Sequence, residues 1–473
     1  MGGQGFAGRA RAALQDETLR AATALTADRL RGGKAAAQEV LGNWEEWRRR
    51  GEEIRTRTIA QLDRHLMRFV QECERRGGVV HAAPTAEDAV RIVLDIIKDE
   101  GGTRIAKSKS MLAEEIHLNE HLEAAGYSVI ETDLGEYIIQ LAHETPSHII
   151  IPAIHKDRRQ IAGLFSAVTG EQVPEDTQAL AGIARRILRR EFLHADIGIT
   201  GCNFAIAETG SLSLFTNEGN GRMVTTLPRV QITLVGIERI VPTWQDFEVM
   251  AALLARSATG QALTAYVSVT QSPRLGPEED GPERLHVILV DNGRMAQLRD
   301  AEFRKALHCI RCGACLNVCP VYRQVGGHAY GSVYPGPIGA VLTPLLQQGS
   351  REGEDLPWAS SLCGACAEAC PVRIPLHDLL VRLRERTVTR TGGPGGTSER
   401  LAFRAWAGAF RRPRRLAVAA GSVRLLRRAL GEKGFARLPA VREWARAREV
   451  PELPAKTFIE LFDRMREREE DPR

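Results

Sequence analysis

Seven of the nine cysteines in this chain of 473 residues lie between Cys309 and Cys370, in two bursts, and they constrain its fold more than any other feature. The first burst reads Cys309-Ile-Arg-Cys312-Gly-Ala-Cys315-Leu-Asn-Val-Cys319-Pro320, the second Cys363-Gly-Ala-Cys366-Ala-Glu-Ala-Cys370-Pro371. A C-x2-C-x2-C-x3-C-P run is the spacing with which thiolates hold cubane iron–sulfur clusters: three cysteines in quick succession wrap one cluster, and the fourth reaches a second. A single C-x2-C carries far less information, because zinc ribbons use it as well.

The second burst is an incomplete copy of the first. Counted back from Cys370, the place of its opening cysteine is held by Ser360. Crossed ligation then assigns Cys309, Cys312, Cys315 and Cys370 to a [4Fe–4S] cluster and leaves Cys319, Cys363 and Cys366 for another. Three thiolates suit a [3Fe–4S] cluster, or a [4Fe–4S] cluster whose last iron takes an oxygen, a histidine or a substrate. Ser360 and His308 are the nearby side chains of those types. Arg311 and Arg373 add positive charge beside the clusters, which raises reduction potentials. The competing reading of the seven cysteines is a pair of structural zinc sites.

The remaining composition narrows the class. The length corresponds to about three domains. A formal net charge of +5 is small for this size and does not argue for nucleic-acid binding, which calls for a clustered basic face. No run of about 18 apolar residues occurs, so no membrane-spanning helix is expected. The opening Met1-Gly-Gly-Gln-Gly-Phe-Ala-Gly-Arg9 lacks the apolar core of a signal peptide. Clustered cysteines in such a chain read as reduced metal ligands in a cytoplasm rather than as disulfides. Cys73 and Cys202 stand alone and read as inert packing residues.

Residues 1–76 are rich in Ala, Leu, Arg and Glu, are broken at Gly32-Gly33, and predict a helical segment. Trp44 and Trp47 anchor it as a clamp on the next domain. Over 77–295, short apolar runs at Val79–Ala82, Thr103–Lys107, Tyr127–Glu131 and His148–Pro152 each precede a helical pattern, at Thr85–Asp99, Met111–Ala125, Leu134–Leu141 and Arg158–Thr169. That rhythm predicts an α/β domain with a mostly parallel sheet, helices on both faces and right-handed crossovers. A helix at Thr177–Phe192 and strands at Gln231–Val235, Ala265–Val269 and His286–Val290 complete it. The 200–228 stretch has the glycines and polar groups of a ligand pocket, with Glu208 as base or anchor and Arg222 for a carboxylate or phosphate. Turns between strands explain the same glycines. No Walker or Rossmann spacing is present, so nothing argues for bound NAD or flavin.

Residues 296–388 form the cysteine domain, closed by a helix at Pro375–Arg386. Between its bursts, His328, Tyr330 and Tyr334 stand near a cluster or a quinone-like acceptor, or simply pack. Thr389–Gly396 is glycine-rich and reads as a flexible linker. Residues 397–473 predict an arginine-rich helical tail. It is either plainly solvated or a face for an acidic partner subunit or, peripherally, an anionic membrane surface.

Ile151-Pro-Ala-Ile-His155, Ala207-Glu-Thr-Gly-Ser-Leu-Ser-Leu214, Cys309–Tyr322, Gly326-Gly-His328, Tyr334-Pro-Gly-Pro-Ile-Gly339 and Ser361–Pro375 together resemble the lactate utilization protein B family. The long gap between the bursts resembles the α-helical ferredoxin-type domain of succinate dehydrogenase iron–sulfur subunits. The cassette alone is shared with heterodisulfide-reductase-like and glycolate-oxidase-like subunits, whereas its fusion to an α/β domain is more specific. The resemblance implies that the α/β part is a lactate-utilization domain, related in fold to ribose-5-phosphate isomerase and CoA-transferase-like proteins. It implies an iron–sulfur electron-transfer protein in the oxidation of L-lactate to pyruvate, working with two companion subunits and an electron acceptor. Two rivals stand beside it: a catalytic subunit that binds the hydroxy acid in the α/β domain at Glu208 and Arg222, and an iron–sulfur redox sensor.

Overall fold

The computed structural model describes residues 5–347, 353–391, 396–438, 441–442, 445, 448–449, 456 and 458–470. It divides into two compact units, Met1–Val388 and Thr389–Arg473. Among the described residues ten strands lie in the first: β1 (Val79–Ala83), β2 (Arg104–Lys107), β3 (Ser128–Glu131), β4 (Ile197–Thr200), β5 (Phe204–Ile206), β6 (Ser211–Thr216), β7 (Val230–Gly236), β8 (Ile240–Val241), β9 (Tyr266–Thr270) and β10 (Arg284–Val290).

Six of them form one sheet in the order β1-β10-β7-β4-β2-β3, with every pair parallel. Side chains alternate across a strand, and both faces of this sheet are apolar. Ile288, Val290, Ile232, Leu234, Ile197 and Ile105 pack with Ala89, Val93 and Ile97 of the helix Ala86–Glu100. On the opposite face, Val287 and Leu289 meet Leu62, Phe69 and Cys73 of the helix Leu62–Arg75. Ala106 joins the helices Leu134–Leu141, Arg158–Thr169 and Thr177–His194. Helices on both faces of a parallel sheet are the predicted arrangement.

Local chemistry sets the helix starts. Thr85, Asp133, Asp157 and Asp176 each accept a backbone N–H of the first turn, and Asp157 completes a capping box with Gln160.

The helix Glu17–Leu41 runs through Gly32-Gly33, where the sequence predicted a break, and two further expectations changed. The apolar run His148–Pro152 forms no strand; it is a buried loop whose Ile149 packs into the core of the cysteine domain. A short apolar run does not by itself distinguish a strand from another buried segment. The second change is an additional four-stranded sheet, β8-β5-β6-β9, with β5–β6 and β6–β9 antiparallel and β5–β8 parallel. It takes up β9, which the sequence assigned to the main sheet.

The N-terminal helices Phe6–Gln15, Glu17–Leu41 and Trp44–Ala60 pack on the cysteine domain and the second sheet. Arg9 donates to the Ala329 and Tyr330 carbonyls, and Phe6 packs on Tyr330. Arg55, fully buried, donates to the carbonyls of Ile240 at 2.9 Å and Leu307 at 2.9 Å, so one side chain ties this clamp to both the second sheet and the cysteine domain.

The unit Thr389–Arg473 contains the helices Gly396–Phe410, Pro413–Ala436 and Phe458–Glu470. The helix Leu376–Thr391 runs into the expected linker, and residues 392–395 of that linker lie outside the described residues.

Candidate iron–sulfur centre

The two bursts fold as a pair of similar loops. In the first, Arg311 and Gly313 flank Cys312 with φ of 60° and 74°; in the second, Leu362 and Gly364 flank Cys363 with φ of 57° and 83°. Left-handed backbone on both sides of a cysteine curls the chain around it and turns backbone N–H groups inward, the kind of concavity that receives anionic sulfur. Glycine takes this conformation freely; Arg311 and Leu362 do so against their own preference. Each loop runs into a short helix, Ala314–Asn317 or Ala365–Ala369, and then into Cys-Pro. Backbone N–H groups point at sulfur, among them Arg311 to Cys309 Sγ at 3.4 Å, Tyr322 to Cys319 Sγ at 3.5 Å and Ile374 to Cys370 Sγ at 3.4 Å.

Cys309, Cys312, Cys315 and Cys370 line one cavity, walled by Ile149, Ile338 and Ile374. Cys366 lies within electrostatic reach of Cys319 and Cys363, and Cys315 also feels Cys366, so the two groups adjoin. Among the described residues no three cysteine sulfurs come within 4.8 Å of one another.

Cys312, Cys315, Cys319, Cys366 and Cys370 are buried, whereas Cys363 is exposed. Burial, and then the neighbouring sulfurs, pushes the Cys315 thiol well above its ordinary value; burial pushes Cys312 up to about 12. Thiolates crowded in an apolar cavity need a compensating cation, which iron would supply when bound.

Ser360 stands in the second loop where Cys309 stands in the first. Its Oγ accepts the Leu362 N–H at 3.1 Å, matching the bond from Arg311 to Cys309. His308, buried, lies among Arg55 and Lys305. His328 packs edge-on against His155 at 4.5 Å, donates to the Thr145 carbonyl at 2.6 Å and lies with His155 beside Glu144. Tyr322 donates to the Ser147 carbonyl at 2.7 Å, another tie between the His148–Pro152 region and the cassette.

Positive charge gathers around the first cysteine group from distant parts of the chain. Arg48 donates to the Cys370 and Ala367 carbonyls at 3.0 and 3.1 Å, and Lys34 donates to the Ala369 carbonyl. These bonds satisfy carbonyls left open at the end of the helix Ala365–Ala369. Arg239 donates to the Cys309 carbonyl at 3.1 Å. Arg311 pairs with Glu238 at 3.3 Å and Arg373 with Glu52 at 3.4 Å, so the two arginines singled out in the sequence are partly neutralised. Nothing in the local sequence of Lys34, Arg48 or Arg239 signals this role.

The structure does not bring Glu208 and Arg222 into one site. Glu208 Oε2 accepts the Trp244 N–H at 3.1 Å, at the start of the helix Trp244–Ala258. Arg222 lines a separate groove along β9 with Tyr266 and Ser268. Cys73 and Cys202 are held protonated by burial, at about 11 and about 12.

Comparison with known proteins agrees with both halves. Residues 66–290 match the LUD domain and residues 305–374 the 4Fe-4S dicluster domain. Lactate utilization protein B of Bacillus licheniformis is 47% identical over 475 residues, covering 100% of this chain and 99% of its own. Lactate utilization protein B of Bacillus subtilis is 52% identical over 407 residues, covering 86% of this chain and 84% of its own. Among solved structures, a DUF162 family protein from Deinococcus radiodurans aligns over 49% of this chain and 98% of its own, with 17% identity and a TM-score of 0.29. With relatives so similar over its whole length, the chain belongs to the lactate utilization protein B family.

Proposed function

We propose that this chain carries electrons in the oxidation of L-lactate to pyruvate, through two iron–sulfur clusters held by the seven cysteines. The carrying observation is the division of those cysteines into two adjoining groups, one buried except for the partly exposed Cys309 and one reaching the surface at Cys363. Cys309, Cys312, Cys315 and Cys370 hold a [4Fe–4S] cluster in this reading. Cys319, Cys363 and Cys366 hold the second, also read as [4Fe–4S]. Lactate gives up two electrons and an iron–sulfur cluster takes one at a time, so a pair of clusters matches the stoichiometry.

The protein's part is to fix, shield and tune. Crossed use of Cys319 and Cys370 locks the two loops together. Ile149, Ile338 and Ile374 keep water from the first group. Lys34, Arg48, Arg239 and Arg311 favour the reduced, more negative state there. The exposed Cys363 loop marks the surface where electrons leave or enter, toward two companion lactate-utilization subunits and an acceptor in the cytoplasm. Among the described residues no helix is long and apolar enough to cross a membrane.

The test is the chain purified without oxygen, its charge-transfer absorption followed with L-lactate alone and then with the companion subunits. Absorption that bleaches only with the companions present is the expected result. Stoichiometric zinc and no colour would overturn the reading. Bleaching by L-lactate alone would make the chain the catalytic subunit.

A further inference from the structure

A cavity of about 220 Å³ opens at the carboxyl ends of β2, β4 and β7. The strand order reverses here: from β2 the chain steps outward to β3, whereas from β4 it steps the other way to β7 and then β10. Ligands of open parallel sheets settle in the crevice at such a reversal. Arg311, between two cluster cysteines, and Tyr334 help to line it. Ile149 and Arg311 line both this cavity and the one walled by Cys309, Cys312, Cys315 and Cys370. An occupant would therefore lie one side chain from the first cysteine group.

The lining carries four basic side chains, Lys109, Arg239, Arg294 and Arg311, against three acidic ones, Asp133, Glu218 and Glu238. Glu115, paired with Arg294, balances the fourth basic group, so the charge open to an anion rests on Arg311 and Lys109. Arg294 is committed to Glu115 and Glu238, and Arg239 to the Cys309 and Ile310 carbonyls. Arg311 is only half committed. One nitrogen meets Glu238 at 3.3 Å and the guanidinium lies over the Tyr334 ring at 4.2 Å, but Nη1 is buried without a partner. Lys109 donates to the Ile150 carbonyl at 2.7 Å and forms no ion pair among the described residues. Thr216 Oγ1 and Asn220 Oδ1, on the same lining, are also buried without partners. Buried polar atoms are almost always paired, so three unpaired ones around one cavity indicate a polar ligand.

We propose that this cavity binds a small carboxylate monoanion of the 2-hydroxy or 2-oxo acid class. Arg311 and Lys109 supply its counter-charge, and Thr216 and Asn220 make polar contacts to the rest of it. Such a site gives the chain a direct hold on substrate or product beside the first cluster, in addition to carrying electrons. It deepens the electron-carrier reading and rests on it only where the cluster serves as reporter.

The test uses the cluster-loaded chain, purified anaerobically. Calorimetry with pyruvate, which carries no reducing electrons to the clusters, reads binding; the electron paramagnetic resonance of the dithionite-reduced chain reads proximity. Pyruvate is expected to bind and to shift the reduced-cluster signal. Lys109→Gln and Arg311→Gln should each raise its Kd roughly tenfold or more, the size of one lost charge-assisted hydrogen bond. Arg91→Gln, on an exposed helix, should leave it unchanged. Acetate, lacking the 2-oxygen, should bind more weakly than pyruvate. Tighter binding of inorganic phosphate than of pyruvate overturns the carboxylate class. Unchanged pyruvate affinity in Lys109→Gln overturns the site, even where Arg311→Gln fails to load iron. A chain that takes up no iron yet binds pyruvate loses the carrier reading alone; an iron-loaded chain that ignores pyruvate loses this inference alone.

Discussion

Glu238→Gln tests the junction between the sheet and the cluster loop. Glu238 follows β7 and is 3% exposed. It accepts from Arg294 Nε at 2.6 Å and from Arg311 Nη2 at 3.3 Å, with Arg239 adjacent. Burial opposes its ionisation, but Arg294, Arg311 and Arg239 overcome this and hold the carboxyl at about 2 instead of 4.5. At about 1.36 kcal/mol per pH unit that drop is worth roughly 3 kcal/mol. The glutamine keeps the shape and removes the charge, leaving Arg311 with no counter-ion and Arg294 with Glu115 alone. The expected loss is about 3–5 kcal/mol at pH 7, the usual cost of stranding a buried charge. Because the folded-state value is depressed, the stabilisation is fully present above about pH 4.5 and disappears as the pH falls toward 2. The gap between wild type and variant, read by urea unfolding under anaerobic conditions, should be full at pH 7 and narrow steadily below pH 4.5. Adding Arg294→Met should recover part of the loss. A variant within about 0.5 kcal/mol of wild type at pH 7, the scatter of neutral surface changes, would refute the reasoning, as would a gap that stays constant into acid.

Three further outcomes are expected. Ser360→Cys should complete the second motif, lower the potential of the second cluster by adding a thiolate, and change its paramagnetic signature; a redox titration identical to wild type would show that residue 360 does not reach the iron. Glu136, pushed up to about 8 by burial, binds a proton in the folded state between its ordinary value of 4.5 and 8. Its ionisation therefore costs stability increasingly as pH rises through that window, and Glu136→Gln should raise Tm at pH 8 but not at pH 5. Gly327→Ala places a Cβ 1.9 Å from the Ser147 carbonyl oxygen, itself bonded by Tyr322. Overpacking of this kind costs about 1–3 kcal/mol, and proteolysis should open first near residues 147–152.

Much of the fold was legible because its signals are local. Leu134–Leu141 and Arg158–Thr169 carry their own caps and apolar faces and form the helices that their pattern predicts. β1, β2 and β3 fall on the apolar runs assigned to them. The Ile149–Ile151 run misled because apolarity specifies burial, and the partner that buries it, the cysteine domain, lies far along the chain. The proposed ligand cavity was only partly legible. Gly201, Asn203, Thr216 and Asn220 of its lining belong to the 200–228 stretch that the sequence singled out, but the ends of β2 and β7, Arg311 and Tyr334 join them from elsewhere, and no window of sequence contains them all. Glu208 and Arg222 were chosen for their nearness to glycines, and sequence proximity does not make side chains converge.

The sequence by itself determined the cysteine spacing and the parallel α/β rhythm, since each depends on atoms a few residues apart. The tertiary structure alone decided what surrounds the cysteines. Lys34 and Arg48 come from the N-terminal helices, Arg239 follows β7, and Ile149 comes from a loop of the α/β part. Charge and exclusion of water act through space, over distances set by packing, so the tuning of the site is fixed only when the clamp, the sheet and the cassette close on one another.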